Sequence, residues 1–267
     1  MQPTELLTGQ TEIGPDITDV AGEPATPEQL ERLIARYHWA ASYCTGRIVL
    51  EVACGTGQGL GLLRSRAQRV FACDLNSENL ENAKRGNGPD QPLLQVNAQA
   101  LPFADKSVDV VIILEALYFL PSSDEFLDEV TRVLRPNGWL LVSAINKDSP
   151  DFNPRHSLYR ELYGTRELAA QFRRHGLEPE CFGIIPMDEP SFRRRAFSPL
   201  KRLAVGLNVI PESKRARIFL KRIVFGELQR MPHDITTAAA PAVEPTPVST
   251  EEPDRVHQVI LYAGKLT

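Results

Sequence analysis

A glycine-rich stretch that follows an apolar run is the part of this 267-residue sequence best suited to bind a ligand. The run at 48–52 is mostly β-branched and contains one acid, Glu51. Glycine then recurs at every second position, as Gly55, Gly57, Gly59 and Gly61. Glycine adopts positive φ readily, and its backbone stays open to a ligand. The pattern predicts a strand, a binding loop and a helix. The first N–H groups of that helix would have no partner within it, so they could donate to an anionic ligand.

The spacing of these glycines excludes two common phosphate-binding loops. A dinucleotide fingerprint needs Gly or Ala at its sixth position, where this sequence has Leu60 counted from Gly55 and Leu62 counted from Gly57. The sequence also contains no G-x-x-x-x-G-K-[ST] pattern, so the loop is not a P-loop.

Polar residues end the next predicted strands. Asp74 ends the run at 69–74, about twenty residues after the glycines, where a carboxylate can accept hydrogen bonds from two ribose hydroxyls. It could instead cap a helix starting near Ser77. The run at 93–96 is followed by Asn97, and the apolar run at 107–114 is followed by Glu115.

The ordered set of these landmarks resembles the class I S-adenosylmethionine (SAM)-dependent methyltransferases, in particular their type 11 branch. Glu51-x-x-x-Gly55-x-Gly57 resembles the SAM loop of that family, with Ala53 where the family usually has glycine. The segment Asn97-Ala98-x-x-Leu101-Pro102-Phe103 resembles the family's acid-Ala-x-x-Leu-Pro-Phe segment, with an amide in place of the acid. The resemblance extends to about residue 145.

The resemblance implies a SAM site in which Glu51 faces the positive amino group, Asp74 the ribose and Asn97 the adenine amino group. Tyr37 would lie beside the cofactor or would simply pack in the core. The full set implied to bind the cofactor is Tyr37, Glu51, Ala53, Gly55, Gly57, Asp74, Leu75, Asn97, Ala98 and Glu115.

Methyl transfer to a hydroxyl also needs a base. The candidates are His156, His38, Glu115 and Tyr118, and each of them taken alone is more often a structural residue. His156 is the first choice because it follows the fifth predicted strand (139–145), in a loop at the ligand-binding edge of such sheets. No Asp-Asp or Asp-Asn pair ends the fourth or fifth strand, so a metal site is not expected.

Strands that alternate with helices predict an α/β fold, a Rossmann-like, doubly wound sheet of seven strands, mostly parallel with the last strand antiparallel. Thr26-Pro27 is a typical helix start, so a helix is expected from there to about Cys44. The expected organisation is a flexible N-terminal arm (1–26), a SAM-binding core (27–184 plus 256–267), a basic helical lid (185–231) and an Ala/Pro/Thr-rich linker (232–255).

Composition limits the partners of the protein. The net charge of −4 gives no reason to expect nucleic acid, and the four isolated cysteines suggest neither a disulfide framework nor a zinc site. The start of the sequence carries no signal-peptide pattern, and a cytoplasmic location is expected. The segment 193–222 is rich in Arg and Lys, and it could contact an anionic substrate or a membrane surface, or simply be a solvated face.

The main hypothesis is therefore a SAM-dependent methyltransferase of a small molecule, with a hydroxyl on a sugar-containing or natural-product scaffold as the expected acceptor. The segment 199–211 resembles bacterial methyltransferases of cell-surface polysaccharide synthesis, with low specificity. Two alternatives remain open: methylation of an amine, a carbon or a lipid-linked substrate at a membrane surface, and an inactive SAM-binding partner subunit. The sequence does not define the oligomeric state.

Overall fold

The computed structural model describes residues 20–150, 152, 159–186, 228–236 and 240–267. Most of the expected N-terminal arm and of the expected lid lies outside these ranges. The same is true of His156 and of the basic segment 193–222. The domain division therefore stays a prediction.

The described residues form five α-helices, ten strands and one 3₁₀ turn. In chain order these elements are β1 (Pro24–Ala25), α1 (Pro27–Ser42), β2 (Ile48–Val52), α2 (Leu60–Arg64), β3 (Arg69–Asp74), α3 (Ser77–Asn87), β4 (Leu93–Gln95), β5 (Val108–Leu114), the 3₁₀ turn (Leu117–Phe119), α4 (Ser123–Val133), β6 (Leu134–Ile145), α5 (Thr165–Arg174), β7 (Leu177–Pro186), β8 (Gln229–Arg230), β9 (Thr246–Val248) and β10 (His257–Leu266).

Eight of these strands form one sheet in the order β4-β3-β2-β5-β6-β10-β7-β9. Strands β2 to β6 pair in parallel, and β10 lies antiparallel between β6 and β7. The predicted doubly wound, mostly parallel sheet with an antiparallel last strand is confirmed. The described sheet has eight strands rather than seven, because β9 pairs with the outer edge of β7. This three-residue strand lies in the segment expected to be a linker, whose Ala, Pro and Thr content does not predict a strand.

The strand order places a topological switch between β2 and β5. From β2 the chain moves outward through β3 to β4, and it then returns to the other side of β2 to form β5. Loops at the carboxyl ends of β2 and β5 therefore diverge and leave a crevice, which is where open α/β sheets bind their ligands.

Apolar layers cover both faces of the sheet. One contains Leu33, Tyr37 and Trp39 of α1 together with Leu60 and Leu63 of α2. The other contains Phe126 and Leu127 of α4 together with Leu168 and Phe172 of α5. Since β5 is buried between the two layers, its near-continuous apolar sequence is the one expected of a central parallel strand.

Helix α1 begins as its sequence predicts. The Thr26 hydroxyl accepts the N–H of Gln29 at 3.1 Å, and the Gln29 side chain accepts the N–H of Thr26 at 3.0 Å. This reciprocal pair is a capping box, and Pro27 occupies the first turn. The helix ends at Ser42. It carries Tyr37, whose ring lies against Gly59 in the loop that follows β2.

A segment distant in sequence packs against that loop. In residues 228–236, β8 pairs with β1, and Met231 and Ile235 are buried. The N–H of Ile235 donates to the carbonyl of Gln58 at 3.1 Å. A Cβ on Gly61 would lie 2.2 Å from the Thr236 hydroxyl oxygen, so glycine is needed for this close approach. No helix in the described part of the chain combines the length and the apolar character needed to span a membrane.

Candidate active site

The loop that follows β2 has an unusual backbone. Ala53, Gly55 and Gly57 all have positive φ, at 55°, 57° and 73°. This conformation is free of steric cost for glycine, but it strains alanine by about 1–2 kcal/mol. The loop therefore has a glycine-type backbone conformation even at Ala53, which is not a glycine.

Gly59 supports the ring of Tyr37. A Cβ on residue 59 would lie 2.0 Å from Cε1 of Tyr37, although Gly59 itself has no positive φ. The tyrosine ring therefore rests on the bare backbone of the loop. Its hydroxyl donates to Oε1 of Glu51 at 2.6 Å.

Glu51 is buried near the end of β2, and only one of its two carboxylate oxygens accepts a hydrogen bond from a described residue. Its Oε2 atom is buried and has no hydrogen-bond partner among the described residues. Burial raises the pKa of this carboxyl from 4.5 to about 7, against the lowering effects of Tyr37 and Arg36. Burial and then the Glu51 charge raise the pKa of Tyr37 well above its usual value, so Tyr37 stays protonated and remains a donor.

Asp74 at the end of β3 connects two loops. Its Oδ2 accepts the N–H of Gly55 at 2.9 Å, and its Oδ1 accepts the N–H of Asn76 at 2.9 Å. The alternative that Asp74 caps the next helix does not describe this geometry, because the side chain of Asn76 caps α3. Oδ1 also accepts from the side-chain amide of Asn79 at 3.3 Å, so about one of the four acceptor positions on the two oxygens remains for a ligand.

The loops that follow β3 and β4 supply three more of the predicted cofactor residues. Oδ1 of Asn97 accepts the N–H of Gln99 at 3.0 Å, which fixes the orientation of its side-chain amide. Ala98 is buried beside it. The carbonyl of Leu75 accepts from the side chain of Gln95 at 3.0 Å. The structure thus places all these residues at the carboxyl edge of the sheet.

Glu115 ends β5 on the other side of the crevice. It has a positive φ of 56°, which is strained for a glutamate. The hydroxyl of Ser143 donates to its Oε1 at 2.6 Å, and the hydroxyl of Tyr118 donates to its Oε2 at 2.9 Å. Burial and then Glu115 raise the pKa of Tyr118 well above its usual value, so Tyr118 keeps its proton and is not itself a base at neutral pH.

Three aromatic rings adjoin this carboxylate. The centroids of Tyr118 and Phe119 are 4.6 Å apart, those of Tyr118 and Tyr159 are 5.3 Å apart, and those of Phe119 and Tyr159 are 5.7 Å apart. We call Tyr118, Phe119 and Tyr159 the aromatic wall. Sequence reasoning missed Ser143 and Tyr159. The one available signal for Ser143 was a hydroxyl within the apolar second half of β6.

The two histidine candidates are not brought to this carboxylate by described contacts. His38 follows Arg36 by two residues, which places it about 200° around α1 from Arg36. Arg36 is the residue of α1 whose charge acts on Tyr118. Nε2 of His38 is buried without a partner in the described ranges. His156 lies outside these ranges, so its role as a base stays a prediction.

The crevice suits a cationic nucleoside. The unpartnered, buried Oε2 of Glu51 needs a donor or a positive charge. The hydroxyl of Thr56, in the loop between Gly55 and Gly57, is also buried without a partner in the described structure. A buried acceptor left unsatisfied costs about 1–3 kcal/mol, so a ligand that donates there would be favoured. The residues present therefore fit a ligand with an ammonium group and a ribose.

Comparison with known proteins identifies the family of this chain. Residues 50–142 match a methyltransferase domain family. A probable S-adenosylmethionine-dependent methyltransferase of Mycolicibacterium smegmatis is 36% identical over 55% of this chain and 56% of its own length, so the chain spans little more than half of that relative. A demethylmenaquinone methyltransferase of Renibacterium salmoninarum is 30% identical over 68% of this chain and 74% of its own length.

The fold also has solved counterparts. A SAM-dependent methyltransferase structure from Thermotoga maritima has a TM-score of 0.58 at 14% identity, and the match covers 90% of this chain and 91% of that one. This likeness shows a shared α/β fold. The chain belongs to the class I SAM-dependent methyltransferases, whose cofactor is SAM.

Proposed function

We propose that this protein binds SAM at the carboxyl ends of β2, β3 and β4 and transfers its methyl group to an oxygen of a small molecule. The observation that carries the proposal is the buried, unpartnered Oε2 of Glu51 beside a loop with three positive φ angles. This acceptor suits the ammonium group of the methionine end of SAM. Asp74, on the neighbouring strand, would accept from the ribose hydroxyls.

Bound SAM would supply a methyl group already activated by the positive charge on sulfur. The protein then has to align an acceptor and exclude water, and positioning can lower a barrier by about 7–11 kcal/mol in favourable cases. Tyr37 and Gly59 orient Glu51, and Gly55 and Asn76 orient Asp74. These contacts fix the site before a ligand arrives.

We place the acceptor next to Glu115, on the opposite side of the crevice from Glu51. A hydroxyl acceptor agrees with this placement, because a carboxylate there can accept the hydroxyl hydrogen. The sugar-containing or natural-product scaffold expected from the sequence remains part of this proposal, and so does a contact of segment 193–222 with an anionic substrate. No described contact favours the alternative of an inactive partner subunit.

Calorimetric titration with SAM tests the proposal. Asp74→Asn keeps the shape of the side chain but removes its charge, and we expect at least a tenfold loss of SAM affinity. Asp109→Asn is the matched control, because Asp109 also accepts a backbone N–H, that of Ile48 at 2.8 Å, but at the amino end of β5. Equal losses in both variants, or no binding of SAM by the wild type, would refute the proposed site.

A further inference from the structure

The carboxylate of Glu115 is held in place but still has room for a ligand. Ser143 and Tyr118 each donate to a different oxygen of this carboxylate. Each carboxylate oxygen offers about two acceptor positions, so one position on each remains for other donors. The backbone fixes the same geometry, since the N–H of Glu115 donates to the carbonyl of Ser143 at 2.8 Å.

The aromatic wall borders the same carboxylate, because Tyr118 belongs to both. Phe119 and Tyr159 stack at an interplanar angle of 30°, and both are only partly buried. The charge of Glu115 acts on Tyr159, so these partly exposed, stacked rings lie beside the carboxylate and offer an apolar surface to a flat ligand. Aromatic rings bind other aromatic rings in offset or edge-on arrangements.

We propose that the methyl acceptor is a phenol, whose ring packs against Phe119 and Tyr159 and whose hydroxyl donates to the carboxylate of Glu115. This inference rests on the proposed function and narrows its acceptor class. It also assigns Ser143 as a positioning residue, which acts on the acceptor through Glu115.

Acid strength separates phenols from other oxygen acceptors. Phenols ionise near pH 10 and carboxylic acids near pH 4, so proton transfer between them is unfavourable by roughly six powers of ten. Alkyl alcohols are far weaker acids than phenols, so the same transfer from an alcohol is unfavourable by many more powers of ten. A carboxylate acceptor has no proton to donate, and its charge would be repelled by that of Glu115.

The step balances without another reactant. The phenolic O–H bond breaks, and the proton moves to the free position on Glu115. The phenolic oxygen uses its electron pair to form the new O–CH₃ bond. The S–CH₃ bond breaks with its electron pair remaining on sulfur, which becomes neutral. Glu115 then returns the proton to solvent.

Binding of 2-naphthol to the cofactor-free protein gives a first test that does not depend on turnover. We expect Tyr159→Ala to weaken binding about three- to tenfold, which is the usual contribution of an aromatic pair. Tyr159→Phe should recover most of that loss. Tyr43→Leu is the matched control, because Tyr43 packs on Trp39 and Trp139 on another part of the surface. Equal losses in Tyr159→Ala and Tyr43→Leu would overturn the assignment of the wall.

Methyl transfer from SAM to three acceptors of similar size gives the second test. These are 2-naphthol, its saturated counterpart decahydro-2-naphthol, and 2-naphthoate. We expect methylation of 2-naphthol alone. E115Q should lower kcat by about 10²-fold, as loss of a catalytic base does, and Ser143→Ala should lower kcat more than it raises KM for SAM.

The outcomes separate this inference from the proposed function. If the protein binds SAM but methylates decahydro-2-naphthol or 2-naphthoate as well as 2-naphthol, the phenol assignment is wrong and the proposed function stands. If it binds SAM and neither binds nor methylates 2-naphthol, the phenol assignment is also wrong. A protein that does not bind SAM at all would refute the proposed function itself.

Discussion

The ring of Tyr37 lies against the bare backbone of Gly59, so that a Cβ on residue 59 would be 2.0 Å from Cε1 of the tyrosine. This contact directs the tyrosine hydroxyl to Oε1 of Glu51 and leaves Oε2 of Glu51 for a ligand. The absence of one methyl group on the loop thus determines the position of a charge in the crevice.

Gly59→Ala should therefore displace Tyr37 and weaken SAM binding. We expect a loss of about 1–3 kcal/mol in the free energy of unfolding, as in other overpacked cores, together with a measurable fall in SAM affinity. Thermal unfolding and calorimetry measure the two effects. Gly46→Ala is the control, because Gly46 has a φ of 71° and a Cβ added there would have no atom within 4 Å. It should cost about 1 kcal/mol through backbone strain and leave SAM affinity unchanged.

The pKa of Glu51 predicts that stability falls as pH rises. Its folded-state value of about 7 exceeds the ordinary 4.5, so the folded protein holds this proton more tightly than the unfolded chain. Between pH 4.5 and 7 the folded state should lose about 3 kcal/mol from this group. Glu51→Gln removes that dependence, so its stability relative to the wild type should rise from pH 5 to pH 8. Exposed Glu81→Gln is the control, and a parallel pH profile for all three proteins would contradict the prediction.

SAM affinity should depend on pH in the opposite sense. A cationic amino group binds ionised Glu51, so affinity should fall as pH drops from 7 to 5, by up to about tenfold per unit. Tyr37→Phe removes the hydrogen bond that lowers the pKa of Glu51, so the midpoint of this fall should move to higher pH. Calorimetric titrations at several pH values measure the midpoint. An unchanged midpoint in Tyr37→Phe would show that the hydrogen bond does not control the charge of Glu51.

Ala53→Gly should stabilise the protein. Ala53 has a φ of 55°, which is strained for alanine by about 1–2 kcal/mol, while the greater flexibility of an unfolded glycine offsets about 0.4–1 kcal/mol. The net gain in the free energy of unfolding should be roughly 0.5–1 kcal/mol. Asn137→Gly is the comparison, because Asn137 has a similar φ of 63° in a residue type that tolerates it better. Denaturant unfolding should show the larger gain for Ala53→Gly.

Local sequence signals predicted the parts of the fold that local contacts build. Thr26 and Gln29 form their capping box within one helical turn, and the apolar run of β5 is buried on both faces. The sequence Arg135-Pro136-Asn137-Gly138 is typical of a turn and on its own predicts a break between helix and strand. Instead, β6 already starts at Leu134, and its pairing with β5 shifts register between Val108 and Val110. The positive φ of Asn137 lets the strand absorb this irregularity.

Contacts between distant segments could not be predicted in the same way. The edge strand β9 depends on a free edge of β7, and residues 228–236 depend on the space above Gly61. The partnership of Ser143 with Glu115 depends on the register that pairs Leu114 with Ser143. None of these relationships has a sequence period or a fixed spacing. They follow only from the assembled sheet.

The position of β10 has a consequence for the synthesis of the protein. It hydrogen-bonds to β6 on one side and to β7 on the other, yet both neighbours precede it in the chain. Until β10 has been synthesised, the edges of β6 and β7 that pair with it have no hydrogen-bonding partner in the sheet. Such edges are prone to pair with other chains. Translation that pauses before residue 257 would leave β7 and β9 without their hydrogen-bonded link to β6 and the strands beyond it.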